Sequence, residues 1–224
     1  MYKISITPEE IDKLELVSFP GKIKVIDGLG LEFLSAVRYL KRQKIIGFDT
    51  ESRPTFSPDQ PHYGVSLLQL SGAEKAFLFR IKLMGGIPKP LRSILSNESI
   101  IKVGAAVNDD VRGLERHHDF TPRGFVDLQK IVWEYGIKDK AVKKMAAIIL
   151  GIKISKTQQL SNWEAETLSD AQQAYAATDA WVCREMYIKL RNSKKRPLTP
   201  EQMMPNSSKN QVKNDKDLTQ EGQG

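Results

Sequence analysis

Three groups of acidic residues in this sequence could share a cation. The first is Asp49-Thr50-Glu51, which follows the apolar run Ile45-Ile46-Gly47-Phe48. In a strand, the two-residue side-chain period turns both carboxylates to one face. Like charges that close raise one another's pKa unless a cation offsets the repulsion. An isolated Asp-x-Glu is commonplace on an exposed edge. Here the apolar run predicts a buried strand, which delivers its terminal residues to the sheet edge where α/β proteins place their sites. The second group lies in AYAATDAWVCREMY, where Tyr175 and Asp179 stand four residues apart. In a helix they project from one face, so hydroxyl and carboxylate converge. The third is Asp109-Asp110, within KVGAAVNDDVRGL. Asp109 suits an N-terminal cap. Asp110 lies one turn before Leu114 and faces the sheet if Leu114 packs inward.

Composition narrows the ligand chemistry. Of 224 residues, 40% are hydrophobic and 27% charged, enough for one domain with a sizeable core. The single cysteine, Cys183, rules out an intramolecular disulfide and a thiolate zinc cluster, so a metal must be held mainly by oxygen. Magnesium or manganese suits such a site better than zinc. No apolar stretch approaches bilayer length, and a cytoplasmic protein with no membrane partner is expected. The net charge of +7 and pI of about 9.3 fit a protein that meets a polyanion. The basic residues fall in short groups, Lys41-Arg42 with Lys44, then Lys138, Lys140, Lys143 and Lys144, then Lys194-Lys195-Arg196, which also describe solvated helix faces.

The pattern predicts the elements that carry these groups. A helix is expected over 31–42, with Leu34, Val37, Tyr39 and Leu40 as its apolar positions, leading into the IIGFD strand. VSLLQL at 65–70 and KAFLFR at 75–80 read as antiparallel strands joined by a turn at Ser71-Gly72. A helix at about 90–96, strand 100–104, helix 109–117 and strand 124–127 follow, then several helices ending in a long one over 169–191. A hairpin beside strands connected through helices implies an α/β fold, a mixed sheet with helices on its faces. From residue 194 the sequence is polar, proline-bearing and without aromatic residues. A domain over 1–193 and a disordered tail over 194–224 are therefore expected.

FDTE at 48–51, VGAAVNDDVRGL at 103–114 and YAATD at 175–179 resemble the three exonuclease motifs of the DEDD superfamily, in that family's order and approximate spacing. LSNW at 160–163 and Arg53-Pro54 extend the likeness to the branch of ribonuclease D and the Werner syndrome protein exonuclease domain, over about residues 40–190. The resemblance implies a ribonuclease-H-like fold and a 3′-5′ exonuclease acting on the 3′ end of DNA or RNA, with Asp49, Glu51, Asp110 and Asp179 holding two Mg²⁺ or Mn²⁺ ions. The family spacing from Gly104 selects Asp110 over Asp109. It also implies the tyrosine subclass, because Ala174 stands where the other subclass has histidine, and Tyr175 fills the tyrosine position.

Phosphodiester hydrolysis needs an activated water and stabilisation of the departing 3′-oxygen, tasks that two cations about 4 Å apart can share. Asp49 is expected to bridge them, Glu51 and Asp179 to complete the water-activating site, and Asp110 to serve the leaving-group side. Tyr175 is expected to stay neutral and orient the water. A non-catalytic nucleic-acid-binding module of the same fold would be marked by a missing carboxylate, and all four are present. His62, His117 and His118 show no paired metal spacing. The last two suit a helix end, and Asp127 suits a cap. Trp163 reads equally as core or as a base-stacking platform, Lys156 as a phosphate contact or an exposed lysine, and Cys183 and Met186 as core.

Overall fold

The computed structural model describes residues 1–55 and 64–204. Their elements in chain order are α1 (Pro8–Asp12), β1 (Lys22–Ile26), α2 (Leu31–Lys41), β2 (Ile45–Ser52), β3 (Val65–Ser71), β4 (Lys75–Arg80), α3 (Lys89–Leu95), β5 (Ile101–Gly104), α4 (Val107–Glu115), β6 (Phe125–Asp127), α5 (Leu128–Ile131), a 3-10 turn at Val132–Tyr135, α6 (Val142–Leu150), α7 (Asp170–Arg191) and α8 (Pro200–Met203). The six strands form one sheet in the order β1-β4-β3-β2-β5-β6. β2, β3 and β4 run antiparallel as a meander, whereas β5 joins β2, β6 joins β5 and β1 joins β4 in parallel. This is the expected α/β architecture, with the hairpin where the turn residues put it.

Two apolar layers enclose the sheet. On one face Phe48, Leu68, Leu70, Phe77 and Phe79 pack against α2, α3 and α4 through Leu40, Ile94 and Leu114. On the other lies α7, the longest helix, backed by α6 through Met145, Ile149, Val182, Cys183 and Met186. Ser169 starts α7 with a capping box, its hydroxyl accepting from the Gln172 amide while the Gln172 side chain returns to the Ser169 N–H. Among the described residues no helix is long and apolar enough to cross a membrane.

Three expectations need amendment. α2 buries Phe33, Ala36, Val37 and Leu40, and Leu34 is exposed, because the spacing that includes Phe33 makes the continuous inward stripe. β1 was not anticipated: KIKVI alternates lysine with apolar residues as an edge strand does. The polar C-terminal stretch does not leave the body at residue 194. Arg196 and Leu198 donate backbone hydrogen bonds to Glu134 and Trp133 carbonyls, Leu198 is buried, and Thr199 caps α8. One apolar side chain and two backbone pairings suffice to dock this stretch, which carries too little periodicity to be read as an element.

Candidate active site

β2 carries the first two carboxylates out of the core. Its cross-strand partners fix which face they take, since Asp49 lies opposite Gln69 and Glu51 opposite Leu67. Leu67 packs with Trp163, Tyr175 and Ala176, so this is the α7 face. The register shifts between Glu51 and Ser52, where the strand leaves its regular ladder. α7 can come this close because Gly47 has no side chain: a Cβ there would lie 1.8 Å from the Ala180 carbonyl oxygen. That contact brings Asp179, one residue earlier on the helix, to the end of β2. Oxygens of Asp49, Glu51 and Asp179 all fall within 4.8 Å of one another.

Asp110 approaches from the other layer. Thr50 points away from Asp49 and Glu51, and its hydroxyl donates to Asp110 Oδ1 at 2.6 Å. Leu114 is fully buried, so the helical phase that turns Asp110 toward the sheet holds. Asp109 is exposed and faces Arg112 at 3.9 Å. It does not cap α4: the N-cap is Ala106, in the left-handed region at φ 59°. The Ala106 N–H is instead satisfied by Asp127, whose Oδ1 accepts it at 3.1 Å and also caps α5 by accepting from Gln129 at 3.0 Å. Asp127 thus caps α5 as expected and also anchors the start of the helix that bears Asp110.

The electrostatics of this group are unfavourable without a cation. Burial, then Glu51 and Asp179, push Asp49 well above the ordinary carboxyl range. Burial raises Glu51 to about 9, with Asp179 and Asp110 adding to it. Asp110 and Asp179 are each raised to about 6, chiefly by burial. None of the ion pairs among the described residues involves these four groups. Each of the four residues is only partly exposed. An all-oxygen cluster of this kind suits a hard divalent cation.

Tyr175 is buried, and its hydroxyl lies beside the Asp179 carboxylate one turn along α7. Burial and the neighbouring carboxylates push its pKa upward, so it stays protonated. Trp163 is a core residue, 1% exposed, with its ring 5.9 Å from that of Tyr175. Two side chains that the sequence reading passed over secure the Trp163 loop: Arg80 donates to the Ala165 and Glu166 carbonyls, and Gln172 donates to Ser161 Oγ and the Asn162 carbonyl. Only the fold brings Arg80 and Thr50 to the site, since neither belongs to an acidic or aromatic pattern. The outer side of Tyr175 meets a cavity of about 160 Å³ that Ser18, Ser155, Thr157 and Thr178 also line.

The remaining expectations sort simply. Lys156 is exposed, and its charge lowers the Asp179 pKa. Cys183 and Met186 are buried in the core. His117 and His118 follow the C-cap of α4 and lie against Gly64 and Gly86. His62 lies outside the described residues.

Carboxylates gathered at the end of a central strand of a mixed sheet, with a long helix crossing that strand, define a ribonuclease-H-like domain of the nuclease type. The chain belongs to the 3′-5′ exonuclease family, which it matches over residues 32–195. It is 35% identical over 150 residues to exonuclease 3′-5′ domain-containing protein 2 of Drosophila melanogaster, covering 66% of this chain and 25% of that protein. It is 32% identical over 190 residues to the bifunctional 3′-5′ exonuclease/ATP-dependent helicase WRN of Mus musculus, covering 81% of this chain and 13% of that protein. The chain therefore spans a quarter or less of the length of these two relatives. Among solved structures, the Nibbler exonuclease domain of Aedes aegypti superposes with a TM-score of 0.68 at 21% identity, covering 79% of this chain and 91% of that one. Ribonuclease D of Trypanosoma brucei, in complex with RNA U12, gives 0.66 at 21% identity, covering 79% and 64%.

Proposed function

We propose that the chain hydrolyses phosphodiester bonds one at a time from the 3′ end of DNA or RNA, using two Mg²⁺ or Mn²⁺ ions and releasing nucleoside monophosphates. The observation that carries this reading is the convergence of Asp49, Glu51 and Asp179, without an ion-pair partner among the described residues, beside a protonated Tyr175, with Asp110 held next to them by Thr50. When bound, the ions lower the pKa of a water and stabilise charge on the phosphoryl group and departing oxygen.

Asp49 would hold both ions, and Glu51 and Asp179 would help hold the one that activates water. Asp110 spends one oxygen on the Thr50 hydroxyl, and its other oxygen would serve the ion on the leaving-group side. Tyr175 would donate to Asp179 and hold its oxygen toward the attacking water, as an orienter rather than a base. The water attacks phosphorus, the bond from phosphorus to the 3′-oxygen breaks, and that oxygen leaves as the 3′-hydroxyl of the shortened strand. Exposed Lys156, whose charge reaches Asp179, would meet a substrate phosphate.

The test is digestion of single-stranded DNA, recessed duplex and RNA, each labelled at the 5′ end, with Mg²⁺, with Mn²⁺ and with chelator. A metal-dependent ladder of shortening products is expected. Early release of a labelled mononucleotide means the opposite polarity, and metal-independent or absent release rejects the assignment.

A further inference from the structure

Gln69 is the one fully buried side chain on the α7 face of β3 whose carboxamide is left without a partner. It is 0% exposed, and neither Nε2 nor Oε1 finds a hydrogen bond among the described residues. A buried amide in that state is costly, and native structures rarely tolerate one without a use. Its neighbours on the sheet explain where the use lies. Across β2 its partner is Asp49, and across β4 it is Leu78. Cross-strand partners share a face with Cβ atoms about 5 Å apart, within reach of a glutamine side chain. Above this patch, α7 presents Ala176, Ala177 and Ala180, none of which has a side-chain donor.

Asp49 has the complementary deficiency. One of its oxygens lies within 4.8 Å of an oxygen from Glu51 and one from Asp179, while Gln69 stands directly across the ladder from it. A bridging ligand must be ionised and must hold its oxygens in a fixed direction. We propose that Gln69 is the positioning residue for Asp49. A rotation of its side chain carries Nε2–H to the Asp49 carboxylate from beneath as a cation arrives from the open end of β2. The amide donor then opposes the lateral repulsion and sets the plane of the carboxylate. This inference rests on the two-cation reading of the site.

The test compares the full chain with Gln69→Met, which keeps length and removes the donors, and Gln69→His, which keeps a donor. Mn²⁺ binding is followed by titration calorimetry without nucleic acid, and melting is followed without metal. Gln69→Met is expected to bind Mn²⁺ about 10- to 100-fold more weakly, the range for losing a hydrogen-bond partner of a metal ligand. It is also expected to melt at the same or a higher temperature without metal, since an unpaired buried amide is gone. Gln69→His is expected to recover part of the affinity. A Gln69→Met protein that binds Mn²⁺ as the parent does overturns the role while leaving the exonuclease reading intact. Loss of metal-free stability in Gln69→Met equal to its loss in affinity also overturns it, because the residue would then be merely structural. A parent chain that binds no Mn²⁺ overturns both.

Discussion

Glu51 shows how far the site departs from an ordinary surface carboxylate. Its pKa rises from 4.5 to about 9, because burial and two neighbouring acids oppose its charge. The folded, metal-free protein therefore holds protons that the unfolded chain releases across that interval. Stability attributable to the cluster accordingly falls as pH rises from the ordinary carboxyl range through about 9. Glu51→Gln removes one charge while keeping shape, so in chelator it is expected to melt above the parent, by a margin that widens between about pH 5 and about pH 9. Melting scans of both proteins over this range decide the matter, and a margin independent of pH would mean the repulsion is not there. The same variant, like Asp49→Asn, is expected to lose nucleotide release. Tyr175 makes a different claim. Tyr175→Phe keeps every carboxylate, so Mn²⁺ affinity should hold while turnover slows by about 10- to 1000-fold, the range for one positioned catalytic group. Parental turnover in that variant removes the hydroxyl from the mechanism.

At the scale of elements, the site exists because α7 crosses β2 at Gly47. Gly47→Ala sets a Cβ against the Ala180 carbonyl, backbone against backbone, where no side chain can rotate away. Helix and strand must separate, and Asp179 moves with the helix. The variant is expected to lose several degrees of melting temperature and most of its metal affinity together. A variant with parental melting and binding would show that α7 has slack to give. This contact also marks where sequence reading stops. Strand and helix periods made Asp49 with Glu51 and Tyr175 with Asp179 legible as pairs sharing a face, and the resemblance of their motifs joined the two pairs into one site. The choice of Asp110 over Asp109 was legible only through the phase of Leu114 and the spacing of its motif. Gln69 was not legible, since VSLLQL reads as a core strand and only the register sets its glutamine opposite Asp49. Thr50 and Arg80 escaped for the same reason: a hydroxyl facing the other layer and a buried guanidinium reaching loop carbonyls have no local signature. Asp109 misled because a polar residue before an apolar helical period usually caps, whereas α4 begins at Ala106 under the hold of Asp127.

Across the whole molecule, the folded body extends beyond the boundary that composition suggests. Residues 194–204 return to the 3-10 turn at Val132–Tyr135, with Leu198 buried, the Arg196 and Leu198 amides paired to Glu134 and Trp133, and Lys195 in an ion pair with Glu134. The turn belongs to the core layer that also holds Val182, Cys183 and Met186 of α7. A cut after residue 204 removes none of these contacts and is expected to leave melting temperature and nucleotide release unchanged. A cut after residue 196 removes Leu198 and the backbone bond it donates. Burying a leucine contributes about 1.5–3 kcal/mol and a net hydrogen bond about 1 kcal/mol, so this shorter chain is expected to melt lower by roughly 5–15 °C. Its turnover below the melting range should stay near that of the parent, because the lost contacts lie behind the inner end of α7 while Tyr175 and Asp179 lie toward its start. Equal melting of the two truncated chains would show that residues 197–204 add nothing to the body. Loss of activity without loss of stability in the shorter chain would instead place that stretch in substrate contact.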